Sequence, residues 1–198
     1  GRRILDIACG AGYGTRMLRE RTDEEVVGVD ISAEALEYAE ARYGAPGVRW
    51  VQADADEFTS FKGFDMVVSF ETIEHLADPP RFVARVFSGL PPGGIFCVSA
   101  PVVRTTHLVR FHKHDFTAEQ FRGMVTEAGF KIIEELPASF TCYPWHLIHA
   151  KLTQPPASRP NWGWSWRTAI RMLLCGFRWE SLALVCRKGK AECRPGGG

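Results

Sequence analysis

A glycine run, three spaced carboxylates and two groups of histidines carry the chemistry open to this sequence. Gly10, Gly12 and Gly14 follow directly on the apolar run Ile4-Leu5-Asp6-Ile7-Ala8. Glycine adopts dihedrals closed to other residues and has no Cβ, so such a turn lets backbone approach a ligand closely. Asp6 stands inside the run. Asp30 closes Val26-Val27-Gly28-Val29, where a carboxylate can accept hydrogen bonds from both hydroxyls of a ribose. Asp54, followed by Ala55, closes Val48-Arg49-Trp50-Val51-Gln52-Ala53, where an adenine amino group can be read. Together these positions suit an adenosine without a pyrophosphate. A dinucleotide fingerprint fits less well: G-x-G-x-x-G calls for glycine where Thr15 stands, and it leaves Asp54 without a task.

Glu71, Glu74 and His75 are spaced i, i+3, i+4, which places them on one side of a helical turn. Two carboxylates and an imidazole can hold Mg²⁺ or Zn²⁺. Equally, His75 can act as a base or orient an acceptor, or the stretch can be a packed polar wall. His107, His112 and His114 form the second group. His112 and His114 point the same way if the chain is extended. They can pair as metal ligands, line an acceptor pocket or bond locally. The catalytic candidates are His75, Glu74 and His112. No metal is expected, with Glu71, Glu74 and His75 as the alternative metal set.

Short apolar runs alternating with amphipathic stretches position these residues. Strands are expected at 4–8, 26–30, 48–53, 64–70, 95–100, 130–136 and 181–187, and helices at 13–21, 33–43, 79–90 and 118–128. Ser32 is a fitting N-cap. Thr117-Ala118-Glu119-Gln120 is a capping box, and Gly129 closes its helix. Strands alternating with helices imply an α/β fold with a mostly parallel sheet covered on both faces.

The chain has 198 residues, 45% apolar and 24% charged, which are ordinary values for one globular domain. No apolar run reaches the ~18–20 residues of a membrane span. Cys9, Cys97, Cys142, Cys175, Cys186 and Cys193 form no CxxC pair, so neither a zinc ribbon nor a disulfide scaffold is expected. The start has no signal-peptide pattern, and a cytoplasmic location is expected. The net charge of +1 conceals a division. Residues 1–137 hold 15 Lys/Arg against 21 Asp/Glu, or −6; residues 138–198 hold 9 against 2, or +7. Five of the six tryptophans lie in the second stretch. The acidic body argues against nucleic-acid binding.

The motifs in order resemble the class I S-adenosylmethionine-dependent methyltransferases. They are Ile4-Leu5-Asp6-Ile7-Ala8-Cys9-Gly10-Ala11-Gly12, Val29-Asp30-Ile31-Ser32, Gln52-Ala53-Asp54-Ala55, Phe64-Asp65-Met66-Val67-Val68-Ser69-Phe70-Glu71-Thr72-Ile73-Glu74-His75-Leu76 and Leu90-Pro91-Pro92-Gly93-Gly94. The resemblance covers residues 2–137, and the seventh strand fits it. It implies a Rossmann-like, doubly wound, seven-stranded sheet, mostly parallel with an antiparallel last strand, and S-adenosyl-L-methionine as cofactor. It implies that Asp30 binds the ribose, that Asp54 and Ala55 flank the adenine, and that Gly10 and Gly12 pass under the methionine part. Asp6, Ala8 and Ile31 belong to the same cofactor set, and Ser69 and Phe70 line the methyl-transfer region. Ala8 stands where many members have glycine. The E-x-x-E-H stretch is similar to one in ubiquinone-biosynthesis O-methyltransferases, where it resembles a divalent metal site.

The expected activity is methyl transfer to a small-molecule acceptor, on a hydroxyl oxygen. Two alternatives are a lipid-linked or sugar acceptor at a membrane surface, and a cofactor-binding protein without catalysis. One domain is expected over 1–198: a core of 1–137 and 181–188, an insertion or lid over 138–180 and a frayed tail over 189–198. The basic amphipathic stretch at 162–179 is a possible membrane contact. Related enzymes usually carry helices before the first strand, so those helices are expected to be missing here, or their covering role taken by the insertion.

Overall fold

A computed structural model of the chain describes residues 1–106, 109–142 and 177–189. The elements in order are β1 (Ile4–Ile7), α1 (Tyr13–Arg19), β2 (Val26–Asp30), α2 (Ala33–Tyr43), β3 (Val48–Gln52), β4 (Met66–Phe70), a 3₁₀ turn (Ile73–His75), α3 (Pro79–Gly89), β5 (Ile95–Pro101), α4 (Ala118–Glu127), β6 (Phe130–Cys142) and β7 (Phe177–Lys188). They form one seven-stranded sheet in the order β3-β2-β1-β4-β5-β7-β6. The first five strands pair in parallel, and β7 runs antiparallel to both β5 and β6. This is the expected α/β architecture.

Residue type explains why the strands sit inside. All four residues of β1 and all seven of β5 are buried, as a parallel sheet covered on both faces requires. Side chains alternate across the sheet. Leu5 and Ile7 join Phe82, Val83, Val86, Phe121 and Val125 from α3 and α4, whereas Ile4, Val26 and Val68 pack with Leu18 of α1 on the other face. Asp6 therefore points to the α1 side, where it meets Thr15.

Helix ends follow the sequence signals. Ser32 Oγ accepts from the Ala35 amide, and the Thr117–Gln120 capping box is complete. Asp78 caps α3 with Pro79 and Pro80 in its first turn, where the missing proline N–H costs nothing. At the far end, Lys188 Nζ of β7 donates to the Phe87 and Leu90 carbonyls and so fastens the last strand to α3.

Two expectations need correction. The strands bounding the insertion run further than the sequence suggests, to Cys142 and from Phe177, and they pair along that whole length with one irregularity between Ile132 and Glu134. The segment after β4 is a single 3₁₀ turn rather than a helical stretch reaching back to Glu71. Residues 143–176 of the insertion, with most of the basic 162–179 stretch, and residues 190–198 of the tail lie outside the described residues. Among those described, no helix is long and apolar enough to cross a membrane.

Trp50 of β3 explains two glycines. A Cβ on Gly28 would come within 2.6 Å of its ring, and one on Gly12 within 2.6 Å of Trp50 Cη2 and 2.5 Å of Ala39 Cβ. Gly12 also has φ +84°. Its role is thus close packing of α1 and α2 against β3. Gly12→Ala is expected to lower unfolding stability by at least about 2 kcal/mol, combining overpacking with left-handed strain. Gly28→Ala is expected to lose about 1–3 kcal/mol from overpacking alone. Urea denaturation checks both, and wild-type midpoints would refute this packing role.

Candidate functional site

The cleft opens at the carboxyl ends of the parallel strands, next to the switch in strand order between β1 and β4, where open α/β sheets bind their ligands. Its volume is about 800 Å³. Ala8, Asp30, Ile31, Ala53, Asp54, Ala55 and Asp56 line one part of it, and Glu71, Thr72, His75, Leu76, Arg110, Phe111 and Lys113 line the other.

In the first part, Asp30 ties two loops together. Its Oδ2 accepts from the Gly10 amide at 2.8 Å and its Oδ1 from the Ser32 amide at 2.9 Å. Each carboxylate oxygen has a second lone pair, so the group can still bind a diol. Asp54 Oδ1 accepts from the Asp56 amide at 2.8 Å, which shapes the turn after β3. That turn is fastened twice more. Asp56 accepts from the Ala77 amide at 3.0 Å with both oxygens, and Arg85 donates to the Ala55 carbonyl at 3.2 Å. Ile31 is 62% exposed while lining the cleft, an apolar wall suited to a flat ring.

Of the cofactor residues expected from sequence, Ala8, Asp30, Ile31, Asp54 and Ala55 line the cleft. Ala8 has φ +58°, a conformation that favours glycine and accounts for the glycine usual at this place. A Cβ built on Gly10 would meet nothing within 4 Å among the described residues, whereas Gly12 is packed against Trp50 and Ala39. Gly10 is therefore the glycine that leaves room for a ligand. Asp6, Gly10, Gly12, Ser69 and Phe70 are not in the lining. Asp6 and Ser69 are buried, and Phe70, the last residue of β4, is exposed.

Of the three catalytic candidates only His75 lines the second part; Glu74 and His112 are buried behind it and meet it there. Glu74 and His75 come from the 3₁₀ turn, and His112 comes from the segment after β5. The chain folds back here because the Lys113 and His114 amides both donate to the Glu74 carbonyl, at 2.8 and 3.2 Å. His75 Nε2 lies 3.8 Å and His112 Nε2 3.9 Å from Glu74 Oε1, and the two rings meet edge to face with centroids 4.6 Å apart. His75 Nδ1 lies 3.0 Å from the Phe111 carbonyl, and His112 Nδ1 lies 2.6 Å from Thr105 Oγ1. Burial pushes the Glu74 carboxyl up to about 8, with the Glu71 charge adding to it. Burial also lowers both histidines, His112 to about 4 with the nearby His75 adding.

Glu71 does not join this group. Its φ is +49°, so the i, i+3, i+4 spacing does not act as a helix there. Its Oε1 accepts from Ser99 Oγ at 2.8 Å and its Oε2 from Ser181 Oγ at 3.1 Å. His114 Nε2 donates to the Leu76 carbonyl at 2.9 Å, and its ring stacks on Phe116, so it serves the structure locally. His107 lies outside the described residues. Sequence reasoning missed Arg110, Phe111 and Lys113, since only the return of that segment over Glu74 brings them to the cleft. Cys97 and Cys186 are buried thiols raised by burial to about 11 and 12, and burial raises Cys9 further. None of the three is a nucleophile at neutral pH.

Known proteins resemble this chain in sequence and in fold. The family model described as "Methyltransferase domain" matches residues 5–98. A probable S-adenosylmethionine-dependent methyltransferase of Mycolicibacterium smegmatis is 32% identical over 142 residues, 69% of this chain and 54% of that protein. Phosphoethanolamine N-methyltransferase 1 of Arabidopsis thaliana is 30% identical over 141 residues, 66% of this chain and 29% of that protein. The crystal structure of a putative methyltransferase from Bacillus halodurans superposes with a TM-score of 0.69 at 18% identity, covering 96% of this chain and 94% of that one. The chain spans about half the length of the first curated relatives it matches.

Beneath the cleft, Asp6 gives a pH test of the site's foundation. Burial raises its carboxyl to about 6, the Thr15 hydroxyl at 2.6 Å opposing and the Asp30 charge adding. The folded state thus holds this proton more tightly than the unfolded chain does. Ionisation consequently removes stability as pH rises from about 4 through 6, by up to about 3 kcal/mol. Asp6→Asn keeps an acceptor for Thr15 and removes that loss. Its stability relative to wild type is expected to climb by up to that amount between pH 4 and pH 7, as read by denaturant unfolding. A pH-independent difference would contradict a buried, proton-binding Asp6.

Proposed function

This chain belongs to the class I S-adenosylmethionine-dependent methyltransferases, and from that premise we propose that it transfers the methyl group to a hydroxyl oxygen of a small anionic acceptor. S-adenosylmethionine occupies the part of the cleft around Asp30 and Asp54, with Asp30 on the ribose and Ile31, Asp54 and Ala55 around the adenine. The observation that carries the reading is the continuity of the cleft. One space runs from the Asp30 carboxylate to His75, so donor and acceptor can lie end to end.

The sulfonium is already an activated electrophile. When bound, S-adenosylmethionine would supply the methyl group, its S–CH₃ bond breaking with the electron pair returning to sulfur as the acceptor oxygen takes the carbon and gives up its proton to water. The protein's main contributions are alignment and exclusion of water, which can account for up to ~7–11 kcal/mol. Loss of the hydroxyl proton supplies about 10²–10⁴-fold more when assisted. Arg110 and Lys113 stand on the acceptor side of the cleft, and two cations there favour a carboxylate or phosphate on the acceptor. The name of the Arabidopsis relative specifies a phosphate-bearing acceptor, methylated on nitrogen. That makes a nitrogen acceptor the second reading.

Calorimetry with S-adenosylhomocysteine is expected to show one site per chain. Asp30→Ala is expected to weaken it by about 100-fold, the loss of two charge-assisted hydrogen bonds. No binding to folded wild type would refute the cofactor assignment. A methyl-labelled donor tested against hydroxyl and amine acceptors, each with and without an anionic group, is expected to label the anionic hydroxyl compounds. Labelling confined to amines would establish the second reading instead.

A further inference from the structure

Glu74 presents a problem that a cofactor cleft alone does not resolve. Its side chain is 1% exposed, and neither carboxylate oxygen has a hydrogen-bond partner among the described residues. A buried carboxylate left in that state carries its desolvation cost without compensation. The neighbouring imidazole does not relieve it. The Phe111 carbonyl can only accept, so its 3.0 Å contact requires the proton of neutral His75 to sit on Nδ1. Nε2 is then a lone pair, and it faces the Glu74 oxygen at 3.8 Å. A proton on Glu74 itself would not help either. Both histidine Nε2 atoms stand beyond hydrogen-bond reach, at 3.8 and 3.9 Å.

Potential ligand atoms from two separate segments thus converge on one point. The ligand atoms of Glu74, His75 and His112 all lie within 4.8 Å of one another. Three atoms each about 2.1 Å from a single ion stand about 3.6 Å apart when spread evenly around it. The two pairs involving Glu74, at 3.8 and 3.9 Å, need to close by about 0.2–0.3 Å, and the remaining pair by no more than about 1.2 Å. The outer contacts are those of a supported metal site. The Phe111 carbonyl orients one ring and the Thr105 hydroxyl the other. Asp115 in turn holds Thr105 and Thr106, accepting from their amides at 2.6 and 3.0 Å.

We infer that Glu74, His75 and His112 bind a divalent transition-metal ion at the acceptor end of the cleft. Two imidazoles and one carboxylate suit Mn²⁺, Fe²⁺, Co²⁺ or Zn²⁺ better than Mg²⁺ or Ca²⁺. Glu71, engaged by Ser99 and Ser181, is not a ligand. The inference rests on the methyl-transfer reading and deepens it. Of the three, His75 lines the cleft while Glu74 and His112 are buried behind it, so the ion sits at the cleft wall on the acceptor side. An acceptor hydroxyl bound there loses its proton to water more readily, because the ion stabilises the resulting oxygen anion. That anion then takes the methyl carbon as the carbon–sulfur electron pair returns to sulfur. His75 acts in this arrangement as a ligand and not as the base.

The test uses the full chain, freed of metal with EDTA and titrated separately with Mn²⁺ and Zn²⁺ by calorimetry, with bound metal measured after desalting. One ion per chain is expected. His112→Ala and the isosteric Glu74→Gln are each expected to weaken it by more than about tenfold, and Glu71→Gln is expected to keep it. Wild type that binds S-adenosylhomocysteine but no ion overturns the metal site and leaves the methyltransferase reading intact. Binding of neither overturns both. Equal ion binding in wild type, His112→Ala and Glu74→Gln assigns the ion elsewhere and also overturns the site. If these variants fail to fold, the visible spectrum of Co²⁺-loaded wild type decides: bands of an ion held by nitrogen and oxygen support it, and an aquo-ion spectrum overturns it.

Discussion

The Asp30 carboxylate, shared between the Gly10 and Ser32 amides, is the interaction on which the cleft depends. In a parallel sheet every strand delivers its carboxyl end to the same edge. The turn that leaves one strand there has no hairpin partner to shape it. Asp30 supplies that partner across the β1–β2 boundary. It holds the glycine turn open on one side and the start of α2 on the other. The turn can take this course because Ala8, Gly10 and Gly12 all adopt positive φ. Alanine at the first of these carries a strain that glycine would not.

Beneath the turn and beside it lie two buried carboxyls with different solutions. Asp6 is buried but bonded to Thr15. Glu74 is buried and bonded to nothing described. Its backbone carbonyl, however, accepts twice and anchors the returning 113–114 segment. The side chain is therefore fixed in a place that does not stabilise it. A polar group held so firmly in an uncompensated position is typical of a functional site, where stability elsewhere in the fold sustains the local cost.

Legibility from sequence varied with how local the governing interaction is. α2 and α4 were readable to within a residue because Ser32, Thr117 and Gln120 cap them through bonds spanning three residues. β1 and β5 were readable because burial on both faces demands unbroken apolar runs. The Glu71–Glu74–His75 spacing misled for the complementary reason. A helical period is meaningful only inside a helix, and Glu71 is drawn out of one by Ser99 and Ser181 from the neighbouring strands β5 and β7. The far ends of β6 and β7 escaped detection although Ala138, Phe140 and Cys142, like Phe177 and Trp179, alternate with polar residues, because stretches this short become strands only by pairing with each other.

What the sequence determined by itself was the architecture and the half of the cleft built at the ends of β1, β2 and β3. Capping residues, apolar runs, a glycine turn and the carboxylates ending β2 and β3 are short-range signals. They act through bonds between near neighbours or through burial of contiguous residues. The tertiary structure alone decided the other half. Only the fold of the segment after β5 sets His112 against Glu74 and His75 and places Arg110 and Lys113 at the cleft, while Ser99 and Ser181 hold Glu71 apart. Those residues are separated by dozens of positions and share no local interaction. Their meeting depends on backbone bonds from Lys113 and His114 to the Glu74 carbonyl, and spacing along the chain carries no trace of such bonds.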